Sequence, residues 1–209
     1  MTNVLLIVFA MSLLYISIAN RLLTYIKLLA FQGLLLFGIS YIELAEISPV
    51  NLAFILLETI AFKTIAVPMF LNYVIRRNQI TRESEPFLPN FLSLVIVTLI
   101  IIVTFLLSNA IQDPLLNKTY FVAALSALFT GLYIIITRRK IITHVIGFLL
   151  IENGVFVLSL AVGNEMPMLI NIGVLLDLFV SVLLLGIFVN RIGDVLHDVD
   201  VEKLSSLKD

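Results

Sequence analysis

Four ionisable residues stand deep inside apolar stretches of this chain: Glu58, Lys63, Glu152 and Asp177. At about 1.5 Å of rise per helical residue, Glu58 lies about 14 Å from Pro49, Asp177 about 15 Å from Pro167, and Glu152 about 18 Å from Lys140. In a hydrocarbon core about 30 Å thick, all three carboxyls fall near the middle. A charge there costs at least about 2.5–3.5 kcal/mol on insertion scales, so it is expected to face a bundle interior, a partner or water. Two readings are open. The carboxyls are protonated hydrogen-bonding glue between helices, or they take up and release protons as members of a relay, which requires bridging water.

Lys63 follows Glu58 by five residues, about 140° around an α-helix, so the two are not an i,i+4 pair. It is expected either as a neutral lysine in a proton path or as an ammonium paired with a carboxylate of another helix. Pro68 removes a donor and frees the carbonyl of Thr64, which predicts a kink or a small hydrated break near Lys63. Lys27, nearer a helix end, either joins the row or snorkels to the interface. His144 precedes Glu152 by two turns on nearly the same face, and either passes protons to it or bonds a loop at the interface. His197 lies in the polar tail, so the two histidines offer no metal-ligand spacing.

The elements that must hold these residues are read from apolar runs. The 209-residue chain is 61% hydrophobic and 13% charged, unlike the half-apolar, quarter-charged balance of soluble domains. Apolar runs at about 3–19, 22–42, 50–75, 88–111, 119–137, 141–163 and 168–192 predict an all-α integral membrane protein of seven transmembrane helices. The first run lacks a basic leader and is expected to be a retained span rather than a signal peptide. Basic residues gather at Arg21, at Arg76, Arg77 and Arg82, at Arg138, Arg139 and Lys140, and at Arg191, while the alternate loops are acidic or neutral apart from Lys118. The positive-inside rule then sets the N-terminus outside and the C-terminus in the cytoplasm, for a multi-pass protein of the cell inner (plasma) membrane.

An internal repeat is also visible. One shift lays Arg21 on Lys140, Thr24 on Thr143, Leu56 and Leu57 on Leu175 and Leu176, and Glu58 on Asp177. The predicted organisation is a first three-helix repeat at 1–78, a linker with the fourth helix at 79–117, a second three-helix repeat at 118–193, and a cytoplasmic tail at 194–209. Two units of three helices share one orientation only if one extra crossing separates them, so the repeats are parallel. Gly147, Gly154, Gly173 and Gly186, with Ser159 and Ser181, suit close helix packing.

Several classes are excluded or disfavoured. Cysteine is absent, so the chain supplies no thiolate to an iron–sulfur cluster and forms no disulfide. The formal net charge is −1, which offers nucleic acid no basic face. No nucleotide loop or nucleophile elbow is present.

The run Arg138 to Leu160, RRKIITHVIGFLLIENGVFVLSL, followed by Leu175 to Arg191, LLDLFVSVLLLGIFVNR, resembles the small K subunit of respiratory complex I and the C subunit of Mrp-type cation/proton antiporters. With GFLLIENG and LLETIAFKTIAVPMFL, nearly the whole chain resembles the component E family of hydrogenase-4, membrane subunits of group 4 [NiFe]-hydrogenase complexes. In that resemblance Asp177 matches the carboxylate of the K subunit's last helix. Glu152 stands three residues beyond the K-type glutamate position, which Leu149 occupies. Phe31, Gln32 and Gly33 stand where the second repeat has Glu152, Asn153 and Gly154.

What the resemblance implies is a non-catalytic membrane-arm subunit with no cofactor of its own. Iron–sulfur clusters and a nickel–iron centre would lie on peripheral partners. Antiporter-like and complex I H-subunit-like chains would be its membrane neighbours. Redox energy released elsewhere would drive protons along a lateral row of Glu58, Lys63, Glu152, Asp177, His144 and Lys27. The alternatives are an independent secondary transporter, against which parallel repeats count, and a non-conducting scaffold for antiporter-like subunits.

Overall fold

The computed structural model describes residues 1–44, 49–77, 88–114, 116–138 and 140–162. All secondary structure there is helical: α1 (Thr2–Ile18), α2 (Leu22–Glu43), α3 (Pro49–Glu58), a π-helical segment (Thr59–Ala66), α4 (Val67–Arg77), α5 (Asn90–Ala110), α6 (Lys118–Thr137) and α7 (Ile141–Val162). Five helical rods are long and apolar enough to cross a membrane, and α1 is a shorter apolar helix of 17 residues. The run at 168–192, the expected seventh span, lies outside the described residues.

The outer surface is apolar, unlike that of a soluble bundle, around a core that is itself mostly apolar. Helix α5 presents Leu99, Ile102, Val103, Phe105 and Leu106 outward while burying Ser93, Thr104 and Ser108. An apolar exterior is at home only in lipid or against a partner helix, and the inward hydroxyls find partners across the bundle. Thr104 and Ser126 share a hydrogen bond of 2.8 Å, and Tyr133 donates to Ser93 Oγ at 2.8 Å. These contacts join α5 to α6.

Small residues let α6 and α7 close most tightly. A Cβ on Gly131 would come within 2.5 Å of the Gly147 carbonyl oxygen, and one on Gly147 within 2.8 Å of the Gly131 carbonyl oxygen. One on Gly154 would meet the Ala124 carbonyl oxygen at 2.9 Å. Gly147 and Gly154 thus have the packing role expected of them, with Gly131 as the complementary position.

Helix α2 is central, touching α1, α7 and the π segment. At one end of the bundle Tyr120 donates to Glu43 Oε2 at 2.9 Å, tying α6 to α2. At the other, the α6–α7 turn folds Arg138 inward. That guanidinium is 2% exposed, donates from Nη2 to the Ser17 carbonyl at 2.9 Å, and lies 5.9 Å from the Tyr25 ring centroid.

Candidate functional site

The π segment creates the site. Pro68 has no backbone N–H, and its ring presses on the carbonyl of residue i−4, Thr64. Thr59–Ala66, the two turns upstream, take the wider i→i+5 register, and α4 follows without interruption. Thr64 Oγ1 donates to the Thr59 carbonyl at 2.9 Å, itself an i−5 contact. The helix widens upstream of Pro68, and a water-sized cavity lined in part by Lys63 and Val67 adjoins it, at the place where a kink or a small hydrated break is expected. The widening also changes the angle between Glu58 and Lys63. In an α-helix they would diverge by about 140°, whereas residues five apart stack along an i→i+5 helix, so both face inward, at 5% and 7% exposure.

Across the interface, α7 supplies Glu152, also 7% exposed. Lys63 Nζ stands 3.1 Å from Glu152 Oε1, although that oxygen has no aligned hydrogen bond. The contact is an ion pair held by proximity rather than by hydrogen-bond angle. Glu58 lies within electrostatic reach of both Lys63 and Glu152, and its buried Oε1 has no hydrogen-bond partner. A second buried carboxyl thus lies in the field of the ion pair, beyond ion-pair contact with its ammonium. The Phe156 ring, 5.1 Å from Nζ, adds a cation–π face.

The approach of α2 depends on Gly33, where a Cβ would come within 2.9 Å of the Lys63 carbonyl carbon and 2.8 Å of Thr64 Oγ1. The preceding residue on α2, Gln32, joins a chain of hydrogen bonds leading away from Lys63. Lys63 Nζ donates to Asn153 Oδ1 over a long 3.5 Å. Asn153 Nδ2 donates to Gln32 Oε1 at 3.2 Å, Gln32 Nε2 to Ser12 Oγ at 2.8 Å, and Ser12 Oγ to the Phe9 carbonyl at 2.6 Å. An ammonium has only donors, so every amide in the chain must present oxygen toward Lys63 and nitrogen away from it. A cavity of about 20 Å³, lined by Leu29, Lys63, Val67, Leu149, Glu152 and Asn153, adjoins the pair. It is large enough for one water molecule.

Of the residues singled out in the sequence, Glu58, Lys63 and Glu152 come together. His144 is apart from them, half-buried near the start of α7, with Nδ1 2.8 Å from the Lys140 carbonyl oxygen. Lys27 is exposed on α2. Asp177 lies outside the described residues. Gln32, Asn153 and Ser12 join the site without being among the residues that sequence reasoning singles out. Their signal was present only as polar side chains in apolar runs, and Gln32 and Asn153 as corresponding positions of the two repeats. Among the described residues no group of three metal-ligating side chains occurs.

No protein-family model matches the chain, and no solved structure matches it. Distant relatives are found among curated proteins. The chain is 22% identical over 187 residues to an uncharacterized protein of Mycobacterium tuberculosis, covering 88% of this chain and 85% of that protein. It is 25% identical over 149 residues to hydrogenase-4 component E of Escherichia coli K12, covering 70% of this chain and 68% of that protein. The Shigella flexneri hydrogenase-4 component E is similar to the same extent. A chain whose described residues are helical, with five membrane-length apolar helices among them, is thus distantly related to a component of a hydrogenase.

Proposed function

We propose that this chain is a non-catalytic membrane-arm subunit of a complex I-like, group 4 hydrogenase-type complex. In it, Glu58, Lys63 and Glu152 form one station of a lateral proton path. The observation that carries the reading is the Lys63–Glu152 ion pair, 3.1 Å long and almost wholly buried, with Glu58 beside it. One ammonium balances one carboxylate. The second carboxyl is charge-balanced only while it carries a proton. The cluster is therefore suited to hold one exchangeable proton and to pass it between Glu58 on the α3 side and Glu152 on α7, with Lys63 as the fixed or swinging countercharge. Asp177, aligned with the last-helix carboxylate of K-type subunits, would be the next station, and His144 would serve as a cytoplasmic entry.

The redox chemistry belongs to partners, since a chain without cysteine cannot ligate iron–sulfur clusters through thiolates. The N-terminus would face outward and the C-terminus the cytoplasm. Support for paired parallel repeats comes from Gln32 with Asn153. These residues, matched positions of the two repeats in the family resemblance, hydrogen-bond to one another, and corresponding residues that touch are what a pseudo-two-fold axis produces; the Ser17–Arg138 contact only ties the start of one repeat to the other. A scaffold reading is favoured by one feature, the amide chain Asn153–Gln32–Ser12, because amides bind helices together without exchanging protons readily. The two readings separate at Glu152, where only the relay needs a titratable group.

Recovery from the membrane in mild detergent tests the complex itself. The expected result is copurification with antiporter-like membrane chains and nickel–iron and iron–sulfur subunits. Isolation as a stable monomer that transports ions after reconstitution would overturn it.

A further inference from the structure

Sharing no lining residue with the ion-pair cavity, a crevice of about 190 Å³ lies between α1, α5 and α6. Its lining is sorted by polarity. Leu6, Ile7, Ala10, Phe105, Val122 and Ala123 form the apolar body, and Ser108, Asn109, Lys118 and Thr119 gather at the ends of α5 and α6. Ser108 is tied down by a 3.5 Å hydrogen bond to the Lys118 carbonyl. The Lys118 ammonium is exposed at the mouth and forms no ion pair with a described residue. The walls are open to the outside of the bundle, with Ile7 58% and Phe105 56% exposed.

We infer that this crevice is a binding site for an anionic phospholipid, with the phosphate at Lys118, Asn109 and Thr119 and an acyl chain along Phe105, Ala10 and Val122. Three observations select this occupant. The polar residues lie at helix ends, where headgroups sit, and the apolar ones lie toward the bilayer interior, which is the polarity gradient of a lipid. The mouth offers a cation, complementary to a phosphate. The crevice spans about one and a half turns of each helix, too short a seat for a partner's transmembrane helix but sufficient for part of an acyl chain. Free phosphate would leave the apolar body unused. This site is independent of the proton-path reading.

The chain contains no tryptophan, so Phe105→Trp introduces a single, selectively excitable tryptophan at the crevice wall. The full chain carrying it would be reconstituted into vesicles doped with brominated phosphatidylglycerol or brominated phosphatidylcholine, and quenching compared. The expected preference for phosphatidylglycerol is about fivefold, the ratio equivalent to about 1 kcal/mol for one basic residue near a headgroup. Lys118→Gln in the same background should bring the ratio to about one. Leu99→Trp, exposed on the same helix but away from Lys118, should show no preference. Val122→Trp reports from the opposite wall if Phe105→Trp fails to insert. Equal quenching by both lipids in the crevice variants, equal preference in the Leu99→Trp chain, or protection from both lipids by a second copy would each overturn the site.

Discussion

The side-chain amides of Asn153 and Gln32 hydrogen-bond across the α7–α2 interface, Nδ2 to Oε1 at 3.2 Å, and so fix the oxygen that Asn153 presents to Lys63. Breaking that bond on one side strands a buried acceptor, which costs about 1–3 kcal/mol. Asn153→Leu is therefore expected to lower the thermal midpoint of the detergent-solubilised chain. The double variant Gln32→Leu/Asn153→Leu should be no worse than Asn153→Leu alone, because removing both partners leaves no orphan between them. Additive losses would show that the amides act separately.

The packing of α6 on α7 is tested at Gly131. A Cβ there would meet backbone at 2.5 Å, which no rotamer change relieves. Gly131→Ala should separate the helices and reduce membrane accumulation severalfold. Gly38→Ala, whose Cβ would have only Leu5 Cδ1 at 3.4 Å, should be tolerated, with the helix-propensity gain of up to about 1 kcal/mol in its favour. Quantitative immunoblotting of membrane fractions checks both.

Much of this arrangement was legible in the sequence, for identifiable reasons. The buried charges announce themselves because a carboxyl in an apolar run is expensive and therefore informative, and Glu58, Lys63 and Glu152 are brought together. Gln32, Asn153 and Ser12 were less legible because neutral polar groups cost far less to insert, so their presence in a span carries little signal. The relation of Glu58 to Lys63 was misjudged because α-helical geometry was assumed where the backbone is π-helical. Pro68 marked the place but not the response, since a proline can be accommodated by a kink or by a wider turn. Inward burial of Arg138 was also missed, as its neighbours Arg139 and Lys140 made it look like one of three topology-setting charges.

That geometry yields a prediction at Pro68. Pro68→Ala restores a backbone donor and permits the α register through Thr59–Ala66, which would rotate Lys63 relative to Glu152. The complex should assemble at normal levels while proton-coupled activity falls severalfold, although no ionisable group has been changed. Unaltered proton transport would show that the register is not required by the site.

Orientation is checked by reporter fusions. One placed after Asp209 should read cytoplasmic, and one inserted near Asn164 should read external, as the distribution of Arg and Lys among the loops dictates. The reverse result at both positions would invert the proposed direction of proton entry.

Glu152→Gln tests the central claim most directly. Glutamine keeps the shape and hydrogen-bonding capacity of glutamate but has no exchangeable carboxyl proton, and it leaves Lys63 without its 3.1 Å counter-ion. The measurement is the pH change across sealed vesicles containing the assembled complex, alongside its redox activity with an artificial dye. The account predicts normal assembly, largely retained dye reduction and a severalfold loss of proton translocation, with Glu152→Asp retaining part of it. Normal translocation by the assembled Glu152→Gln complex would contradict the account and leave the ion pair as a helix clamp.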